Sequence, residues 1–210
     1  MIDLLMRRRE MVGEEEELSY ITDGLVFHLD GIDKGETQGA WTDLVSGTVF
    51  EGTAEPQSNC FFFNNTYLSN SSFSLGANSN YTVEICYKET VKQNGVLFCS
   101  GNNATGNIFM AHYLSIYLQK GNSYNIDRVI GTKYSLSLNS ERCFQNLIGK
   151  TYKGVGSNYG NSRTNIGCRY NSNSYQLFFR GYIYSIRVYN RNLTEAEILN
   201  NQKVDSKRFI

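Results

Sequence analysis

Two hundred and ten residues suit one domain with at most a short appendage, and 20 Lys plus Arg against 20 Asp plus Glu leave the chain formally neutral, without the charge steering that nucleic-acid binders use. Hydrophobic residues make up 40% of the chain, enough for a core, yet no window holds the ~20 unbroken apolar residues of a membrane-spanning helix. Nineteen Gly, a single Pro (Pro56), 15 Tyr and 12 Phe among many Asn and Ser describe turns between pleated, half-buried strands and disfavour a helix bundle.

Taken in chain order, residues 1–19 stand apart. Ile2, Leu5 and Met6 form an apolar patch, Arg7, Arg8 and Arg9 follow, and Glu14 to Glu17 close the segment. Strong helix formers dominate, so the segment is predicted as a helical arm ahead of a domain at 20–210, with Ile2, Leu5, Met6 and Arg7 to Arg9 as its anchor on a larger assembly. A solvated terminus is the competing reading. The opening has neither the hydrophobic stretch nor the small-residue cleavage site of a secretory signal. Five cysteines, Cys60, Cys86, Cys99, Cys143 and Cys168, are odd in number and contain no C-x-x-C pair, so they read as buried thiols rather than as disulfides or a zinc site.

From Tyr20 onward short strand-like runs follow one another: GLVFHL (24–29), CFFFN (60–64), YTVEICYK (81–88), GVLFCS (95–100) and YLSIYLQK (113–120). RVIGTKYSLSL (128–138), TNIGCRY (164–170) and QLFFRGYIYSIRVYN (176–190) continue the series between Gly, Asn and Ser clusters. In the last run Ile183, Ser185, Arg187 and Tyr189 alternate with Tyr182, Tyr184, Ile186 and Val188, a period of two that gives the sheet distinguishable faces. Then comes a helix signal: Thr194 and Glu197 form a capping box, Leu193 and Ile198 are spaced for a hydrophobic staple, and Leu199 and Val204 extend the apolar side. The expected fold is all-β, a two-sheet antiparallel jelly-roll sandwich with a short C-terminal helix and an N-terminal helical arm.

Two segments carry a family resemblance. At the front stand Gly24-Leu25-Val26-Phe27-His28-Leu29-Asp30-Gly31 and then Trp41-Thr42-Asp43-Leu44 with Ser46-Gly47. At the back, Phe179-Arg180-Gly181-Tyr182-Ile183-Tyr184-Ser185-Ile186-Arg187-Val188-Tyr189-Asn190-Arg191-Asn192-Leu193-Thr194 leads into Glu197. Together they resemble the laminin-G-like form of the concanavalin A-like lectin/glucanase superfamily, including domains of gut bacteriophage and prophage virion proteins. The resemblance implies that the first and last long strands pair, that Trp41 braces a loop, and that Asp30 and Asp43 cap backbone amides. Where many family members have an Asp that organises the domain or a nearby calcium, this chain has Tyr184. Asp30 and Asp33 remain as weak calcium candidates, without the six to eight oxygens that ion takes; no other cofactor is expected.

The superfamily's glycosidases carry Glu-x-Asp-x-x-Glu on a strand, with both reacting carboxylates on one face. No Glu here has Asp two positions later: Glu84 is followed by Cys86, and Glu89 falls on the opposite face of a regular strand. Only His28 and His112 could serve as histidine bases, and no G-x-S-x-G or H-E-x-x-H appears. The expectation is therefore of no enzyme and no catalytic residue. A lectin-like surface would join aromatic faces to amide and hydroxyl groups, and that mixture is densest between Tyr152 and Tyr175. The ligand-binding candidates are Tyr152, Asn158, Tyr159, Arg163, Tyr170 and Tyr175.

These strands join in one expectation: a capsid-decoration, head-fibre or tail-associated virion protein, made in the bacterial cytoplasm. Its arm would hold other virion proteins and its sandwich would face bacterial surface glycans. Neither nucleic acid nor membrane is an expected partner, and a homo-oligomer would suit a fibre. A carbohydrate-binding module on the bacterial cell surface and a purely structural protein–protein interaction domain are the alternatives.

Overall fold

The computed structural model of the protein describes residues 18–35, 39–75, 80–100, 107–112, 115–118, 123–125, 128–139, 142–151 and 163–210, with backbone alone at 107–112, 115–118, 123–125 and 150–151. Residues 1–17 of the expected arm, with its anchor residues Ile2, Leu5, Met6, Arg7, Arg8 and Arg9, lie outside the described residues. In chain order the first strands are β1 (Leu25–Asp30), β2 (Trp41–Thr42), β3 (Val49–Gly52), β4 (Glu55–Pro56), β5 (Phe61–Asn64) and β6 (Leu68–Asn70). β7 (Thr82–Glu89), β8 (Gly95–Ser100), β9 (Asn107–His112), β10 (Ser115–Leu118), β11 (Ser123–Asn125) and β12 (Lys133–Leu138) follow. The chain ends with β13 (Arg142–Gln145), β14 (Ile148–Thr151), β15 (Thr164–Ile166), β16 (Arg169–Asn171), β17 (Ser174–Gln176), β18 (Arg180–Tyr189) and helix α1 (Glu195–Arg208).

Two antiparallel sheets result, as the strand pattern predicts. One runs β14-β13-β12-β7-β18-β5-β4 with β1 also on β18; the other runs β11-β10-β9-β8-β15-β6-β3-β2. β18 is long enough to pair β5 along its first half and β1 along its second, so the chain's first and last long strands join. Phe27, Leu29, Phe61, Phe63, Val83, Ile85, Leu136 and Val188 from the first sheet meet Trp41, Phe50, Leu68, Leu97 and Ile166 from the second in one buried core. Trp41 is structural, as expected: it stacks on Phe61 at 4.7 Å, and its Nε1 donates to the Asp30 carbonyl at 2.9 Å. All five cysteines are buried and none is in a disulfide.

The sequence pattern needs correction in several segments. Ile183 joins Ile186 and Val188 in the core because a bulge between Ile183 and Ser185 breaks the simple alternation along β18. The run at 128–138 becomes strand only from Lys133, since Arg128 leaves the sheet to bind Glu89 through Nε at 3.0 Å and Nη2 at 2.6 Å. The runs at 164–170 and 176–190 each divide, releasing the β16–β17 hairpin as a separate two-stranded ribbon. Strands β2, β3, β4, β6, β9, β11, β13 and β14 fall outside the expected runs; all but β9 are two to four residues long, too short for alternation to show, and Met and Ala give β9 little β signature.

Helix α1 forms as its caps dictate, with Thr194 accepting from the Glu197 amide while the Glu197 side chain receives the Thr194 amide. Leu193 and Ile198 share an apolar cluster with Phe144 and Tyr189, and further along the helix Asn201, Gln202 and Asp205 meet the first sheet through polar groups. At the centre Arg187, 0% exposed, donates from Nε to Glu84 at 3.1 Å and from Nη1 and Nη2 to Asp205 at 2.7 and 2.8 Å. Its guanidinium also lies 4.0 Å from the centre of the Tyr20 ring. Glu84 takes two further bonds, from Ser137 and Asn201, each at 2.8 Å. Burial works against the Arg187 charge, and Asp205 and Glu84 outweigh it, holding the guanidinium protonated.

Removing the cation would leave two carboxylates buried without a counter-charge. Arg187→Leu should therefore lower the unfolding free energy by about 3–5 kcal/mol in a urea titration. A loss under about 1 kcal/mol would show that the network is not what seats the helix.

Candidate functional site

Alternation on two short strands of the second sheet prepares the site. In β6 and β15, Leu68 and Ile166 point into the core, which turns Ser69 and Asn165, paired across the ladder, to the outer face. Tyr67 and Arg163 lie two residues before them, and their contacts with Tyr175 put both on that side. The chain then leaves the sheet at Gly167, whose φ is +76° and whose missing Cβ would stand 2.2 Å from the Phe63 ring, so a larger residue here would collide with the core.

The hairpin that follows folds back over this face. Ser172 and Asn173 take left-handed φ values of 48° and 62°, as a tight two-residue loop requires, and place Tyr170 directly opposite Tyr175 with ring centres 5.1 Å apart. Tyr175 stacks on Tyr67 at 3.8 Å and its hydroxyl sits 3.3 Å from Ser69 Oγ. Arg163 locks the group by donating to the Tyr175 hydroxyl at 2.8 Å while its guanidinium covers the Tyr170 ring at 4.2 Å. Arg169 donates to Gln176 across the ribbon at 2.9 Å. Tyr67, Arg163, Tyr170 and Tyr175 are all half-buried, so part of each remains open to solvent. Such a surface can stack on an apolar face of a ligand and donate to its hydroxyls.

Three of the six expected ligand-binding residues, Arg163, Tyr170 and Tyr175, are thus brought together. Tyr152, Asn158 and Tyr159 lie outside the described residues. Tyr67 and Ser69 were missed because they stand about a hundred residues earlier; the tyrosine-leucine-serine alternation at 67–69 was their only local signal.

A second concavity, of about 290 Å³, lies where the first strand meets the helix end, lined by Leu18, Ser19, Tyr20, His28, Asp30, Asp33, Val204 and Arg208. It holds the two calcium candidates, and they do not fit the ion. Asp30 accepts from the amides of Ile32 and Asp33 and from Arg208 Nε at 2.7 Å, while Asp33 accepts from Arg208 Nη2 at 2.6 Å. A guanidinium already stands between the two carboxylates. Among the described residues no group of three or more His, Cys, Asp or Glu is placed to hold a metal ion. Asp43 caps a loop, accepting from the amides of His28, Val45 and Ser46.

No family model matches the chain, and no curated protein matches it. Among solved structures it is similar to a mutant of Trypanosoma rangeli sialidase displaying trans-sialidase activity, with a TM-score of 0.66 and 16% identity over 88% of this chain and 33% of that one. It is also similar to Trypanosoma rangeli sialidase in complex with 2,3-difluorosialic acid, with a TM-score of 0.66 and 15% identity over 90% of this chain and 34% of that one. A third is domain 4 of AbnA, a GH43 extracellular arabinanase from Geobacillus stearothermophilus, in complex with arabinotriose. Its TM-score is 0.60 and its identity 12%, over 84% of this chain and 97% of that one. The chain spans about a third of the length of the sialidases it matches. At these identities the likeness establishes the β-sandwich fold, one that occurs in proteins acting on or bound to carbohydrate. It also corrects the expectation of no enzyme: sialidases and an arabinanase contain this sandwich, so the missing Glu-x-Asp-x-x-Glu excludes one catalytic constellation and not catalysis.

The second concavity sets a pH dependence. His28 is 9% exposed, and its pKa falls from 6.5 to about 4, first through burial and then through the Arg187 charge, with Asp30 and Asp205 opposing and Arg208 adding to the fall. The unfolded chain takes up this proton near 6.5 and the folded chain only near 4, so the contribution is full above 6.5 and is lost as pH drops toward 4. His28→Gln should flatten that part of a plot of Tm against pH. Equal slopes in the two proteins would refute the assignment.

Proposed function

We propose that the protein binds saccharides on the outer face of its second sheet, through the platform of Tyr67, Arg163, Tyr170 and Tyr175. The observation that carries this reading is the convergence of three tyrosine rings from two distant segments around one guanidinium, with all four side chains partly open to solvent. Rings offer faces to the C–H-rich side of a sugar, and the guanidinium donates to its hydroxyls. The likeness to an arabinanase domain in complex with arabinotriose, which this chain nearly spans, supports the same chemistry.

The setting we propose follows from the resemblance of the opening and closing motifs to phage laminin-G-like domains. The protein decorates a virion as a capsid, head-fibre or tail-associated component, and Ile2, Leu5, Met6 and Arg7 to Arg9 attach it to neighbouring virion proteins. If so, a chain lacking residues 1–19 should fail to enter particles, as read by immunoblotting purified virions; normal incorporation would remove the anchor.

For the platform, isothermal calorimetry against arabinotriose, laminaritriose and sialyllactose should detect binding to at least one. Tyr175→Ala and Tyr67→Ala should each weaken it about tenfold or more, corresponding to ~1.4 kcal/mol. No binding to any of the three, or undiminished binding by both variants, would sink the proposal.

A further inference from the structure

Beneath the platform lies Asn165, and its chemistry is incomplete. The residue is 0% exposed, and neither its Nδ2 nor its Oδ1 finds a hydrogen-bond partner among the described residues. A buried amide with both polar atoms unmatched is costly, and native structures rarely keep one without a water, ion or ligand to answer it. Its location says which. Asn165 pairs across the ladder with Ser69, and Arg163 stands two residues before it on the same face. Both of those side chains reach the Tyr175 hydroxyl, which holds the hairpin's tyrosine on the face of the strand that carries the amide.

What closes it is not a continuous sheet. The β16–β17 ribbon belongs to neither eight-stranded sheet, and Tyr175 is held down by a ring stack on Tyr67 and by the hydroxyl contacts to Ser69 and Arg163. A sugar offers a C–H face and hydroxyls to the same groups and can lodge between the sheet and the Tyr175 ring while that ring stays in contact with it. The ribbon's root is firmer, because the Phe179 amide bonds to the Gly167 carbonyl at 2.8 Å and the Val96 amide bonds to the Leu177 carbonyl at 2.9 Å. Movement of the tip would leave the sandwich intact.

Resting on the saccharide platform proposed above, we infer that Asn165 is the specificity-determining residue of the site. Its side-by-side donor and acceptor read two adjacent hydroxyls of a saccharide that enters beneath Tyr175. A carboxamide presents an NH2 group and a carbonyl oxygen in the same plane, matching a vicinal diol that both donates and accepts. A site built to bond hydroxyls rejects analogues that lack them, because its own buried polar atoms would then stay unpaired.

The test pairs Asn165→Leu, which keeps nearly the same volume, with Asn165→Ala, against whichever of arabinotriose, laminaritriose and sialyllactose the unaltered protein binds. Both variants should lose at least about tenfold in affinity, while the ligand-free Tm is unchanged or higher because an unmatched polar group has been removed. Retained affinity in both, alongside loss in Tyr175→Ala, would overturn the role of Asn165 and leave the platform standing. A fall of several degrees in the ligand-free Tm of both would show the amide to be a structural bond and overturn it equally. No binding by the unaltered protein would remove the platform and this inference together.

Discussion

A guanidinium with no exposed surface constrains more of this molecule than any apolar contact does. Arg187 sits on the longest strand, between the sandwich and the helix that closes it, and is tolerable there only while Glu84 and Asp205 stand on either side. Glu84 comes from the neighbouring strand and Asp205 from the helix, so satisfying one charge fixes three elements at once. The network reaches further, because Tyr20 donates to Asp205 at 2.8 Å and the Ile21 amide donates to Asn201 at 3.0 Å. The residues that enter the domain are thereby tied to those that leave it. The second face of the first sheet is thus sealed by directional bonds, which admit one helix position where an oily interface would admit several.

The opposite sheet is arranged for contact rather than closure. Its inner residues complete the core, while its outer face at β6 and β15 presents Ser69 and Asn165 beside a ribbon that is anchored at its root by backbone bonds and held further out by the side-chain contacts of Tyr175. The anchoring depends on the core: Gly167 can turn the chain outward only because it lacks the atom that would strike Phe63. Packing in the interior therefore decides where the hairpin emerges, and the hairpin decides where Tyr170 and Tyr175 stand. The Glu84 carboxylate, which from the strand pattern alone would be the first to examine for sugar chemistry, lies on the far side of the sandwich and is consumed by Arg187.

Architecture was legible in the chain because it depends on periodicity and local chemistry. Short alternating runs between Gly and Asn turns dictate two sheets, and the Thr194–Glu197 pair starts the helix; the pairing of the first and last long strands was implied only by the family resemblance. Those signals act over a few residues and need no partner to be read. Arg163, Tyr170 and Tyr175 were legible for the same reason, being neighbours in a segment dense in aromatic and polar groups.

The rest required the third dimension. Nothing near Tyr67 or Ser69 announces that they meet a hairpin a hundred residues later, and nothing near Arg187 reveals that its two carboxylates come from a strand and a helix far away in the chain. Asp30 and Asp33 look like cation ligands until Arg208, 175 residues beyond Asp33, supplies the cation itself. The amino-acid order by itself determined the layers, the turns and the helix, since alternation and capping are local; only the tertiary structure decided which charges are spent in closure and which polar groups are left unanswered, since that depends on partners brought together by folding.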